Sequence, residues 1–408
     1  MSFSNFNLPL FVIIYVNANF IRDQGDFMIY FDNSATTKPY PEVREGYMKV
    51  AEQYFANPSS IHSLGSEVEK LMTQSRALTA SLLGVKPTEI VFTSSGTEGN
   101  NLAIKGVAFQ YQNRGKHIIT TSIEHPSVLE AYKQLETLGY TVSYLDVDQS
   151  GRINLEQLKD MLRDDTILVS VIHVNNELGT IQPINEIGNL LKKYPKTLFH
   201  VDHVQGIGKV PLKLKDSGID LCTMSGHKFH ALRGTGILYI RDGLKIASIM
   251  SGGGQEMGIR SGTENVAGIV SMTKALRITF DKINQGGLSH LLQLKEALLS
   301  GLKRMDGIIV NTPDQDSAPH IINFSVLHVK PEVLIHSLSK HEIYVSTQSA
   351  CSSKLAQASR VLTAAGLGEE RAKSAIRVSF SLDNTLEEVK AFIEVLTNIV
   401  PKLQEVMG

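Results

Sequence analysis

Ile219-Asp220-Leu221-Cys222-Thr223-Met224-Ser225-Gly226-His227-Lys228 is an apolar run that stops on a small, polar, glycine-containing turn. Residues 219–224 read as a buried strand. The turn then puts Lys228 at that strand's carboxyl end. Similar units surround it. Residues 90–93 are a short apolar run leading into Ser94-Ser95-Gly96-Thr97-Glu98 and a helical stretch through Leu102, Ile104 and Val107. Residues 117–121, 141–145, 167–173, 198–201 and 236–240 read as further strands. Helices are expected over 65–83, 126–138, 154–162 and 184–193. Strands and helices alternating over short connections predict an α/β fold with a mostly parallel sheet covered on both faces. Such sheets bind ligands at the carboxyl ends of their strands.

Beyond this region a glycine-rich loop runs from Gly252 to Gly262, followed by a long helical region from Val266 to about Leu302. After Asp306 the pattern changes. Strands near 308–310, 321–325 and 376–380 interleave with helices at 332–339 and 386–400, which predicts a smaller α+β domain. The chain of 408 residues is long enough for such a large and small pair. It has 40 basic and 41 acidic residues, a net charge of −1, which argues against direct nucleic-acid binding. Its two cysteines, Cys222 and Cys351, exclude a disulfide framework and a cysteine-rich metal site and suit a reducing cytoplasm.

The apolar run Leu8-Pro9-Leu10-Phe11-Val12-Ile13-Ile14-Tyr15-Val16 is too short to span a bilayer, which takes about 20 residues. It also lacks the charged flank of a signal peptide. Residues 1–27 therefore read as a tail before a second methionine, Met28, and as a candidate for a mis-assigned translation start. An extra docked strand or helix is the alternative.

Several side chains at the carboxyl ends of successive strands carry chemistry. A lysine such as Lys228 acts as a Schiff-base nucleophile when its surroundings lower its pKa; most lysines are simply solvated. His200-Val201-Asp202 ends another strand. An aspartate there can pair with a pyridinium nitrogen, or merely close a turn. Ser95-Gly96-Thr97 opens a helix, where backbone N–H groups cradle an anion or a hydroxyl caps the helix. His125 precedes a helix opened by Pro126 and can stack on an aromatic ring or act as a cap. The coincidence of all four is more specific than any one of them.

Cys351 lies in Thr347-Gln348-Ser349-Ala350-Cys351-Ser352-Ser353-Lys354, which reads as a mobile, exposed loop. Such a cysteine can serve as a thiolate nucleophile. Cys222, inside an apolar run, reads as an inert core residue. Arg377, in Ala375-Ile376-Arg377-Val378-Ser379, can clamp a substrate carboxylate from a strand of the small domain or form a structural ion pair.

Taken in order along the chain, these residues resemble the cysteine desulfurases of the NifS/IscS-like group, class V of the fold-type I pyridoxal-phosphate enzymes. The resemblance runs from Tyr30-Phe31-Asp32-Asn33-Ser34-Ala35-Thr36-Thr37 to the C-terminus. Its markers are Asn57-Pro58-Ser59-Ser60, Ser95-Gly96-Thr97-Glu98, Glu124-His125, His173-Val174-Asn175-Asn176-Glu177, His200-Val201-Asp202, Ser225-Gly226-His227-Lys228, Arg260-Ser261-Gly262-Thr263, Ser349-Ala350-Cys351 and Ile376-Arg377.

The resemblance implies a large domain over 41–280 with a seven-stranded sheet that binds pyridoxal 5′-phosphate. It implies a small domain over 281–408 carrying the Cys351 loop, and a segment over 28–40 packed on that small domain. It implies that Lys228 is the Schiff-base lysine, which also moves the substrate's α-proton. Asp202 pairs with the ring nitrogen, Gln205 and Asn176 approach the ring hydroxyl, and His125 stacks on the ring. Gly96, Thr97, Ser225 and His227 surround the phosphate, with Thr263 reaching in from the partner of a homodimer. Arg377, with Asn176, holds the carboxylate of L-cysteine, and Cys351 receives sulfur as a persulfide. An iron–sulfur scaffold or a tRNA-thiolation enzyme is the implied acceptor. No resident metal is implied; a cluster would be ligated through Cys351 only in passing. No membrane partner is expected.

The chain departs from the family at His203, where alanine is usual, and at Gly206, where a larger residue is common. Met257 stands for a usual arginine, and Ala231-Leu232-Arg233 for Gly-Pro-Lys. None of these removes a catalytic group, but His203 puts ring packing in question and Met257 could weaken the site or the dimer interface. Two other readings remain open: another enzyme of this fold, such as a selenocysteine lyase or an aminotransferase, and a non-catalytic scaffold.

Overall fold

The structure, a computed structural model, describes residues 28–347 and 358–407. The expectations for residues 1–27 and for Cys351 lie outside the described residues. The strands are β1 (Ile29–Tyr30), β2 (Ile90–Thr93), β3 (His117–Thr121), β4 (Thr141–Leu145), β5 (Thr166–Ile172), β6 (Leu198–Asp202), β7 (Leu221–Ser225), β8 (Gly236–Ile240), β9 (Ile308–Val310), β10 (Ile321–Val326), β11 (Ile343–Tyr344) and β12 (Ala375–Ser379).

Strands β2 to β8 form one seven-stranded sheet in the order β2-β8-β7-β6-β5-β3-β4. From β7 to β4 all neighbours are parallel, whereas β8 runs antiparallel to both β7 and β2. Every residue of β5, β6 and β7 is buried, because helices cover both faces of the sheet. Alternate side chains feed two cores. Phe199, Val201, Cys222 and Met224 join one, and Leu198 and Leu221 join the other, as the two-residue period of a strand requires.

A second sheet holds β12-β10-β9, all antiparallel. Its core takes Leu291, Leu294, Leu298 and Leu302 from the helix Leu288–Leu302, and Val389, Phe392, Leu396 and Val400 from the helix Leu386–Met407. Spacings of three and four put each set on one helical face. That apolar face continues to Leu403, and the last helix accordingly runs through Pro401 rather than stopping at residue 400. The helical region after Val266 is also interrupted, by a wide turn at Ile283–Gly287.

The start of the described chain belongs to this second core. Strand β1 pairs in parallel with β11. Phe31 meets Phe380 and Phe392 edge-on, with ring centres 5.0 and 5.6 Å away. The Ser379 N–H donates to the Phe31 carbonyl. This packing delivers Asp32, Ser34 and Ala35 to the gap between the two sheets. Among the described residues no helix is long and apolar enough to cross a membrane.

Candidate active site

A cavity of about 190 Å³ opens at the carboxyl ends of the parallel strands. Lys228 enters it from the short turn Gly226–Lys228 that follows β7. Its Nζ donates to the carbonyls of Ser34 and of Ala35, the latter at 2.9 Å. Burial, reinforced by the positive charges of Arg377 and Lys209, lowers the Lys228 pKa to about 7.

Asp202 ends β6 and is buried. Its Oδ1 accepts from the Val204 N–H at 3.0 Å, and its Oδ2 accepts from Asn100 Nδ2 at 2.8 Å. Asn100 also donates to Ser127 Oγ at 2.9 Å, and Ser127 Oγ lies 2.8 Å from His125 Nδ1. Aspartate and histidine are therefore held by one buried hydrogen-bonded chain. His125 caps the helix Pro126–Thr137, where its Nδ1 accepts from the Ser127 N–H. Burial pushes its pKa down, so the ring is neutral. His125 thus caps its helix and also lines the cavity.

The helix Gly96–Tyr111 points its N-terminus into the cavity, with Gly96 and Thr97 on the wall and Ser95 as cap. That end of a helix favours an anion. A Cβ on Gly96 would lie 2.9 Å from Val204 Cγ2 and 3.3 Å from Ser225 Cβ, so only glycine lets the helix start this close to β7. Ser225 Oγ and Gln205 Oε1 are buried without a hydrogen-bond partner among the described residues, while Gln205 Nε2 donates to the Ser34 carbonyl. His227 stands beside them, kept neutral by burial with its pKa near 3.

Arg377 comes from β12 and is fully buried. It donates from Nη1 to the Asn176 carbonyl and from Nη2 to Asp32 Oδ1, each at 2.9 Å, and among the described residues leaves Nε unpartnered. It is at once an ion pair and part of the cavity wall. Asn176 lines the same wall. Thr263 does not; it lines a separate, smaller cavity with Glu256 and Arg260. Both chain ends that flank residues 348–357 are tied to this region. Ser346 exchanges main-chain hydrogen bonds with Arg377. On the other side Ser359 Oγ donates to Glu177 Oε2, and Arg360 donates to the carbonyls of Ser122 and Glu124.

The chain matches the family Aminotransferase class-V over residues 29–392. It is 46% identical over 375 residues to the NifS/IcsS protein homolog of Lactobacillus delbrueckii subsp. bulgaricus, covering 91% of this chain and 97% of that protein. It is 41% identical over 379 residues to the cysteine desulfurase IscS of Dictyoglomus turgidum, covering 93% and 96%. A solved NifS-like protein superposes with a TM-score of 0.87 at 40% identity, covering 92% of this chain and 100% of that one. The chain belongs to the class-V aminotransferase family, in its NifS/IscS-like group.

Class-V aminotransferases use pyridoxal 5′-phosphate, and the residues present here fit it. The cavity offers a free helix N-terminus and an unpartnered serine hydroxyl for a phosphate. It offers a fixed carboxylate for a ring nitrogen and a lysine of lowered pKa for an aldehyde.

Among the departures from this family, His203 and Gly206 form one structural change, Ala231 is buried in the core and Leu232 is partly buried. His203 points away from the Lys228 cavity. Its Nδ1 sits 2.7 Å from His173 Nδ1, the two rings 4.8 Å apart. A Cβ on Gly206 would fall 2.5 Å from His203 Nδ1 and 2.7 Å from His173 Nδ1. The bulky histidine and the small glycine are thus one exchange of volume. Gly206→Ala is expected to destabilise the protein by about 1–3 kcal/mol through overpacking, and His203→Ala/Gly206→Ala to recover most of that, as a coupled pair should. Urea midpoints of the two single variants and the double variant check this. Met257 is half exposed and Arg233 is exposed.

Glu124, beside His125, has a consequence for stability. Its Oε1 accepts from Thr121 Oγ1 and the Ile172 N–H, each at 2.8 Å, while Oε2 is buried and has no partner among the described residues. Burial raises its pKa to about 8. The folded protein therefore holds this proton between pH 4.5 and 8 where the unfolded chain has lost it, so stability falls as pH rises through that window. Glu124→Gln imitates the protonated form. Between pH 5.5 and 8.5 the wild type should lose on the order of 3 kcal/mol more than this variant, read from urea midpoints at the two pH values.

Proposed function

We propose that the protein is a cysteine desulfurase that converts L-cysteine to L-alanine and passes the sulfur, as a persulfide on Cys351, to an acceptor protein. The observation that carries this reading is the meeting of Lys228, Asp202, His125 and Arg377 on the wall of one cavity.

Bound pyridoxal phosphate supplies an electron sink for the charge left on the substrate's α-carbon. The chain's own residues do the rest. Arg377, with a free Nε, binds the carboxylate of cysteine and fixes the orientation of the amino acid. Lys228 Nζ, with its pKa near 7, takes the α-proton as a free base and returns a proton later. Asp202, fixed by Asn100 and Val204, holds the proton on the ring nitrogen. Helix Gly96–Tyr111 and Ser225 bind the phosphate. His125, with Nδ1 engaged by Ser127, keeps Nε2 for proton exchange with the substrate thiol.

The Cys351 thiolate then forms an S–S bond with the substrate sulfur as the carbon–sulfur bond breaks. The electron pair of that bond goes to carbon, which is protonated. Atoms balance: two thiols become one persulfide and one methyl group, that of alanine. The anchoring of Ser346 and Ser359 at the cavity supports a thiol that works there.

A homodimer is part of this reading. Thr263, lying outside its own chain's cavity, is free to complete a partner's site. Phe55, Ile61 and Leu64 are apolar side chains left exposed that a partner could cover. The acceptor is an iron–sulfur scaffold or a tRNA-thiolation enzyme in the cytoplasm. Incubating purified protein with L-cysteine and a thiol reductant should release alanine and sulfide in equal amounts. Bound cofactor without either product would overturn the reading.

A further inference from the structure

A second cavity, of about 260 Å³, lies behind the end of β6. Leu82, Leu212, Met224, Phe280, Ile283 and Leu288 give it apolar walls. Lys209, His203 and Asn284 are the side chains that break them.

Lys209 is 3% exposed. Its Nζ donates 2.8 Å to the main-chain carbonyl of Lys228, its one hydrogen bond among the described residues. An ammonium has three donors. Among the described residues no carboxylate offsets its burial, which lowers its pKa to about 8 and so leaves it charged at neutral pH. His203, held at Nδ1 by His173, is neutral. Buried charges in proteins are ordinarily paired. A lone cation set in the wall of an open apolar cavity calls for an anion with a hydrocarbon body.

We propose that this cavity binds a small amphipathic carboxylate, its headgroup on Lys209 and its hydrocarbon against Leu82, Met224 and Phe280. One lysine, with no arginine fork beside it, suits a monoanion rather than a phosphate. A cavity of about 150 Å³ holds a benzene ring. By that measure 260 Å³ holds a molecule of about ten non-hydrogen atoms, the size of octanoate. Because Lys209 carries the Lys228 carbonyl, occupancy would be felt at the reacting lysine.

Calorimetric titration of the purified holoenzyme tests this with octanoate as probe. Saturable binding of one octanoate per chain is expected, and none with octylamine, which has the same tail and the opposite charge. Lys209→Met should weaken octanoate at least about tenfold, the loss expected for a charged hydrogen-bond partner. Leu212→Trp keeps the cation, fills the cavity and should abolish binding; it decides the matter if Lys209→Met fails to fold. No saturable binding, octylamine binding equally well, or octanoate binding that survives Leu212→Trp overturns the proposal. The readout is binding and not alanine formation, so failure of this proposal and failure of the sulfur reaction are told apart.

Discussion

Lys228→Ala is expected to lower the rate of alanine formation from cysteine by at least about 10⁴-fold, because the variant loses nucleophile and general base together. The argument rests on which groups near the cavity can accept a proton. With a pKa near 7, a substantial share of Lys228 side chains is free base at neutral pH. An ordinary lysine there would be free base in about one chain in a thousand. His125 and His227 are poor substitutes. Burial pushes both below the ordinary histidine range, His227 to about 3, so both are weaker bases than Lys228. The loss should be chemical rather than structural, since among the described residues Nζ bonds only the carbonyls of Ser34 and Ala35. An unfolding midpoint close to wild type and partial rescue by added methylamine would separate the two. A variant that kept a tenth of the wild-type rate would remove Lys228 from the chemistry.

Asp202→Asn should lower kcat by about 10²-fold while leaving KM within a small factor. The change keeps size and shape, and the amide oxygen can still accept from the Val204 N–H. What it removes is the negative charge that keeps a ring nitrogen protonated. Hydrogen bonds to charged groups are worth about 1.5–3 kcal/mol, and each 1.36 kcal/mol is tenfold in rate. Asn100 adds to the penalty, because its amide donates to Asp202 Oδ2 and would face another amide. Substrate affinity should hold because Arg377 is untouched. Steady-state kinetics on the purified variant give the split. An unchanged kcat would mean the carboxylate serves only the Asn100–Ser127–His125 chain.

Much of this site is legible in the sequence because each piece ends an apolar run. Lys228 and Gly96 follow, and Asp202 ends, strands whose residues are all buried, and such strands stand out as short, mostly apolar runs. The direction of β8 is not written that way, since a strand buried on both faces looks the same parallel or antiparallel. Strands β1 and β11 have two residues each, too few to show a period, and exist by pairing with one another. Asn100 was missed although it sits one helical turn beyond Gly96, on the same face; its partner Asp202 is 102 positions away. Ser34 and Ala35 act through main-chain carbonyls, which no side-chain pattern reveals. His203 and Gly206 each stand out in the sequence as oddities, and only the space between them shows that they are one change.

The most direct test of the central claim is mass spectrometry of the Cys351 peptide after incubation with L-cysteine in the absence of reductant. One additional sulfur atom on that peptide, with alanine in the supernatant and neither in Lys228→Ala, is the predicted result. Alanine formed at the full rate with Cys351 unmodified, or unaffected by Cys351→Ser, would contradict it.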